Sequence, residues 1–301
     1  MMQDISEALP LQHNHRAKHT LKLGLQSFLR SILKTILLSL AGLAILVALS
    51  SAVWLATWHG DVQHKLGKLY EDGSQLTPQN YAKAFAWYSQ SAAKGDVSAQ
   101  LKLAEMYTKG KGIHQDLGAA VTLYRTLADQ GNDVAQYHLG QMYLAGQMVN
   151  QNIVTGLDLL AKSANQNNAE AAFSLGNIYV KGFGSDADEQ NILSEEGVVY
   201  NNMEEGVSQN YKRAAAWYLQ AATQGHADAQ SALGMLYFEA KGVRNNDYTA
   251  YILEAIAAAK GSVKAPIFRN QVMGRLTQEQ IMSAQPLIDH WVVGRPIIFT
   301  E

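Results

Sequence analysis

Ala99-Gln100-Leu101-Lys102-Leu103-Ala104-Glu105-Met106-Tyr107 returns 36 residues on as Ala135-Gln136-Tyr137-His138-Leu139-Gly140-Gln141-Met142-Tyr143, and again as Ala171-Ala172-Phe173-Ser174-Leu175-Gly176-Asn177-Ile178-Tyr179. The pattern reappears at Ala229, Leu233 and Tyr237, displaced by 58 residues, which is the same period enlarged by 22 inserted residues. A fixed period of this size means a series of small units, each stacked on its neighbours. With Ala99 as unit position 1, the apolar positions 1, 5, 8 and 9 fall within about 100° of helical arc, so each copy predicts a helix with one core face. Position 6 is small in every copy: Ala104, Gly140, Gly176 and Gly234. Mid-helix glycine costs roughly 1 kcal/mol against alanine, so its recurrence predicts close approach by a neighbouring helix. Glycines follow each helix (Gly110 and Gly112, Gly146, Gly182 and Gly184, Gly242), where a left-handed residue can close the last turn.

A second helix fills the rest of each unit. It is clearest in Lys83-Ala84-Phe85-Ala86-Trp87-Tyr88-Ser89-Gln90-Ser91-Ala92-Ala93-Lys94-Gly95 and in Arg213-Ala214-Ala215-Ala216-Trp217-Tyr218-Leu219-Gln220-Ala221-Ala222-Thr223-Gln224-Gly225. Alanines around a Trp-Tyr pair suit interlocking helices, and Gly95 and Gly225 are natural C-caps. In the third unit Leu159-Leu160 replaces Trp-Tyr, and Asn167 replaces the cap glycine.

At these residues the chain resembles the Sel-1-like repeat family, a branch of the tetratricopeptide superfamily. The resemblance covers about residues 62–264 as five units; the first is one residue longer and opens with Leu66, Gly67 and Tyr70. It implies an all-α fold, a right-handed α-solenoid of helix-turn-helix repeats acting as an adaptor for protein complexes, often at bacterial membranes. The family has no shared catalytic residues to carry over.

Residues 35–58 carry no charge. A helix of that length spans about 36 Å, enough for a hydrocarbon core of roughly 30 Å. Residues 1–34 hold Arg16, Lys18, Lys22, Arg30 and Lys34 against Asp4 and Glu7, a formal +3 in a chain whose total is −2. The positive-inside rule then puts this basic tail in the cytoplasm and the repeats across the inner membrane, with Trp54 and Trp58 at the far interface. The rival reading is a cleaved signal peptide with Ser50 and Ala52 at the cleavage site. Its basic region would be unusually long and no A-x-A pattern follows, which favours an uncleaved anchor. At the other end, residues 265–301 read as capping helices and a tail. Pro266 opens one helix, and Thr277 with Gln280 forms a capping box for another reaching about Trp291. Such helices cover the last apolar face of the stack.

Composition narrows the function. Apolar residues make up 48% of the chain, charge is nearly balanced and cysteine is absent. These features argue against nucleic acid as a partner, thiol catalysis and sulfur-bound metal. No phosphate loop or nucleophile motif occurs, so the chain reads as a non-enzyme without cofactor or metal. Asp186 and Asp188 begin like a calcium loop, but Asn191 and Gly197 stand where it needs glycine and glutamate. His13, His15 and His19 lie among cations that oppose metal binding, and His59, Asp61 and His64 lack a spacing that gathers them on one helix.

Two sets of residues are candidates for a partner site. Leu101, Tyr137 and Phe173 at position 3, with Glu105, Gln141 and Asn177 at position 7, lie at about 200° and 240°, away from the core stripe. They either line a groove on the concave face or pack on the adjacent repeat. The insertion, residues 185–206, is acidic without a basic residue, and Glu195, Glu196 and Tyr200 mark it as a docking element or as a tolerated surface loop. The combined reading is a membrane-anchored scaffold that holds one or more envelope proteins. The alternatives are a peptidoglycan or glycan-binding module, using Tyr137, Gln136, Gln141, Asn177 and Gln230, and a non-catalytic activator subunit of an envelope enzyme.

Overall fold

The computed structural model describes residues 62–184 and 206–295. The proposed anchor, residues 35–58, the insertion with Glu195, Glu196 and Tyr200, and the last six residues lie outside them. Among the described residues no helix is long and apolar enough to cross a membrane. The chain divides into two compact units, Met1–Gln63 and His64–Glu301; of the first, residues 62 and 63 alone are described.

The second unit is a stack of helical pairs. Their first helices are α1 (62–72), α3 (Val97–Lys109), α5 (Asp133–Ala145), α7 (Ala169–Lys181) and α9 (Ala227–Glu239). Their second helices are α2 (Tyr81–Ala92), α4 (Leu117–Asp129), α6 (Ile153–Asn165), α8 (Tyr211–Thr223) and α10 (Asp247–Ala259). From α2 to α10, each helix packs on the one before it and the one after it in sequence, as a solenoid requires. The only strands among the described residues are β1 (Phe183–Gly184) and β2 (Gly206–Val207), paired antiparallel at the root of the insertion.

Helix boundaries follow from side-chain caps. Asn80, Asp116, Asn152, Asn210 and Asn246 each accept the backbone N–H three residues on, at the start of the second helices. Each also donates its own N–H to the carbonyl of the position-9 tyrosine before it: Tyr70, Tyr107, Tyr143, Tyr179 and Tyr237. The turn inside every pair is thus held from both sides, which satisfies groups that helix ends otherwise leave orphaned. Gly110 and Gly146 take the left-handed C-cap conformation. Gly95 and Gly225 also have positive φ, but lie beyond the C-caps Ala93 and Gln224. Asn167 takes φ +67° at the corresponding place, as asparagine tolerates.

The small residue at position 6 has a steric cause. A Cβ on Gly176 would stand 2.4 Å from the ring of buried Tyr218, and one on Gly67 would stand 2.6 Å from that of Tyr88. Between α5 and α6 the backbones themselves meet, since a Cβ on Gly140 would lie 2.9 Å from the carbonyl of Gly156. Gly176→Ala gains about 1 kcal/mol of helix propensity and loses more by displacing a packed ring. We expect a net destabilisation of about 1–2 kcal/mol in urea unfolding; an unchanged midpoint would show that Tyr218 moves freely.

The buried position that faces this small residue is Tyr88, Tyr124, Leu160 and Tyr218 in successive units, and in the last it is Glu254. Glu254 is 0% exposed. Ser231 donates to its Oε2 at 2.8 Å, Oε1 has no partner, and a Cβ on Gly234 would lie 3.1 Å from Oε1. Burial, opposed by the bond from Ser231, pushes the carboxyl up to about 8.

Beyond α10, α11 (Ala265–Met273) and α12 (Gln278–Asp289) cover its outer side. Val272 and Ala284 join Tyr251, Ile252 and Ile256 in one apolar cluster. Pro266 sits in the first turn of α11, and Thr277 with Gln280 forms a complete capping box on α12, which ends at Asp289 with His290 as its C-cap, close to the expected Trp291.

Candidate functional site

The first-helix column divides by unit. Tyr137 and Phe173 are half-buried and pack against the apolar cluster that contains Leu160, Leu175 and Tyr218. Phe173 lies 4.4 Å, centroid to centroid, from the ring of His226 and 5.8 Å from that of Tyr218. Asn177 Oδ1 accepts the Tyr218 hydroxyl at 2.7 Å. In these units position 3 packs on the core cluster, with Phe173 reaching the next repeat through His226, and Asn177 bonds within its own pair. Gln141 is half-buried on the same helix face. Gln136 and Gln230 do not belong to a glycan surface: both are buried, and their amides donate to the carbonyls of Ala128 and Ala222. Gln100 does the same for Ala92. Where Ala172 cannot, Gln220 from α8 reaches the carbonyl of Ala164.

The column opens at Leu101. There Leu101 and Glu105 help line a cavity of about 270 Å³ together with His64, Ser98, Lys102, Tyr124, Val134 and His138. These side chains come from α1, α3, α4 and α5, so no local motif announces the cavity. Rings form much of its wall. His138 stacks on Tyr124 at 4.8 Å and meets Tyr137 edge-on at 5.0 Å, while His64 meets Tyr88 edge-on at 5.4 Å. Burial holds the His138 imidazole below its usual range, and Lys109 adds to this against an opposing pull from Glu105; the ring is therefore a neutral wall at pH 7.

The rim is ionic and internally bonded. Lys102 Nζ lies 3.2 Å from Glu71 and 3.4 Å from Glu105, and Lys109 Nζ lies 2.6 Å from Glu105. Burial pushes the Glu105 carboxyl up, but Lys109 and Lys102 together bring it below the ordinary carboxylate range. Glu71 also accepts the Tyr88 hydroxyl at 2.7 Å. His64 Nδ1 stands 3.1 Å from Asp96 Oδ2, and Ser91 donates to the same oxygen at 2.7 Å. Bonds from Ser91, Ala99 and Ser98, with the His64 ring, lower the Asp96 carboxyl against the effect of its burial. Among the described residues no group of three or more His, Asp or Glu side chains could hold a metal ion.

Three histidines therefore have defined places. His64 and His138 line the cavity. His226 is the N-cap of α9: its Nδ1 accepts the Ala229 N–H, and its Nε2 faces Glu170 at 3.3 Å. The signal for His226 was its unit position, equivalent to Asp96, Asn132 and Asn168, which cap α3, α5 and α7.

The Sel1 repeat model matches residues 60–96, 97–132, 133–168, 169–191, 199–226 and 227–262. The chain belongs to the Sel1 repeat family. Two of the matched segments, 169–191 and 199–226, reach into the insertion from either side and hold α7 and α8, the two helices of one Sel1 pair. A Sel1 repeat protein from Oxalobacter formigenes is similar at 21% identity, over 76% of this chain and 87% of its own, with a TM-score of 0.59. It shares the solenoid fold. A protective antigen of uropathogenic Escherichia coli with an SLR fold aligns at 24% identity over 75% of this chain and 59% of its own, TM-score 0.38. An immunity protein from Pseudomonas aeruginosa aligns at 19% identity over 76% and 82%, TM-score 0.45. No curated protein matches the chain. Sel1 repeats mediate protein–protein interaction, and that coarse function holds for this array.

Proposed function

We propose that the chain is a scaffold held in the inner membrane by residues 35–58, with its repeats on the extracytoplasmic side, where they hold one or more envelope proteins. The observation that carries the binding part is the cavity beside Leu101 and Glu105, which opens on the first-helix face at side chains the core does not bury. The uncharged segment and the +3 tail before it support the anchoring part. Tethering raises the effective concentration of other membrane components, so modest affinity suffices.

Photocrosslinking in intact cells tests this. A crosslinking amino acid at Ser98 or Gln141 should give discrete protein adducts, while one at the exposed Ala216 on the second-helix face should not. Because the chain has no cysteine, Ala216→Cys also reports topology without background: a membrane-impermeant maleimide should label it from outside the cytoplasm. Absence of adducts at both first-helix positions overturns the scaffold reading, and labelling only after lysis overturns the topology.

A further inference from the structure

The geometry points to the Leu101 cavity as a receptor for one aromatic side chain of a partner peptide, with lysine or arginine beside that residue. This rests on the scaffold reading and adds the chemistry of the partner. Size comes first. An apolar cavity of roughly 150 Å³ accepts benzene, so about 270 Å³ accommodates a phenol or an indole. The same chain shows what fills this register elsewhere: position 3 carries Tyr137 and Phe173 in the next two units, where Leu101 is smaller. The first-helix face thus already packs an aromatic ring at the equivalent place twice, from its own sequence. The walls suit an aromatic guest as well. Tyr124, His138 and His64 present ring faces and edges, and aromatic pairs favour offset and edge-on contacts.

Charge selects the flanking residues. Among groups that line the cavity or bond to those lining it, the carboxylates Glu71, Asp96 and Glu105 outnumber the ammoniums Lys102 and Lys109. Glu71, which accepts the hydroxyl of nearby Tyr88, adds to the negative side of this rim. A basic residue on either side of the guest would find acceptors at this rim, whereas an acidic one would meet repulsion.

Blocked tripeptides are the probes, with fluorotryptophan read by fluorine NMR so that the chain's own tryptophans do not interfere. Lysine–tryptophan–lysine should bind the full-length protein at least tenfold more tightly than lysine–alanine–lysine, the latter followed by competition, and than glutamate–tryptophan–glutamate. Leu101→Phe, which installs the side chain that position 3 already carries at Phe173, should weaken the first peptide tenfold or more with the thermal midpoint retained. Glu105→Gln should weaken it several-fold and serves if the first variant fails to fold. Equal binding of the alanine peptide, or unchanged binding to both variants, overturns the proposal. If no peptide binds while crosslinks at Gln141 persist, this receptor role falls and the scaffold reading stands; if both fail, both fall.

Discussion

Glu254→Gln should unfold at about the same denaturant concentration as the parent chain at pH 5 and at a clearly higher one at pH 8. The carboxyl is fully buried where other units place Tyr88, Tyr124, Leu160 or Tyr218, and burial raises its pKa from an ordinary 4.5 to about 8. A folded-state value above the unfolded one means that the folded chain holds the proton more tightly. The stability linked to that proton is complete below about pH 4.5 and falls as pH rises, until the carboxyl ionises in the folded state near pH 8. Each unit of difference is worth about 1.4 kcal/mol. Glutamine mimics the protonated acid and does not titrate, though its extra N–H lacks an evident acceptor and costs about 1 kcal/mol. The stability difference between the two proteins should therefore swing by about 3–4 kcal/mol between pH 5 and pH 8, in favour of glutamine. Parallel pH profiles would mean that water reaches the carboxylate and that Oε1 is not orphaned in solution.

Gly112→Ala carries the second large effect. Gly112 has φ +74°, and an added Cβ would lie 2.3 Å from the backbone carbonyl of Tyr81 at the start of α2. The left-handed conformation alone costs an alanine about 1–2 kcal/mol, and the overlap is with main chain, which cannot rotate away. A loss of about 3 kcal/mol or more follows. Because each unit of a solenoid is held by its neighbours, the damage should stay near its origin. Hydrogen exchange should show lost protection in α1, α2 and α3 with protection retained in α9 and α10. Uniform loss along the stack would show that the array unfolds as one block. Gly242, with φ +70° and the same 2.3 Å approach to Tyr211, should give the mirror result at the other end.

The sequence discloses what repeats. Positions 1 and 5 of the first helix are buried in the four copies from Ala99 and Leu103 to Ala229 and Leu233. Position 6 is small for the predicted reason, and the capping box at Thr277 is present as read. What stays hidden are differences between copies. Position 3 looks like one column, yet Leu101 lines a cavity while Phe173 packs on His226, because the outcome depends on a partner side chain one unit away. Glutamines 136 and 230 look like surface amides, and only the neighbouring helix end shows that they serve buried carbonyls. The cavity draws on four helices, so spacing along the chain says nothing of it. Glu254 was legible in principle: aligning the units places it under Tyr218, where a carboxylate breaks the pattern.

The two-residue ladder stands at the root of the insertion. Phe183 pairs with Val207 and Gly184 with Gly206, and just beyond them Gln209 reaches the Val180 carbonyl and Asn210 that of Tyr179. Gln115 and Asp116 make the same bonds to Thr108 and Tyr107 in a unit that has no insertion. The chain therefore leaves and re-enters at a fixed address, and α8 docks on α7 as α4 docks on α3. The bonds that fix this address are made by Gln209 and Asn210, outside the insertion, so a change of length before them leaves the register of α8 on α7 to the same two residues that set it in a unit without an insertion.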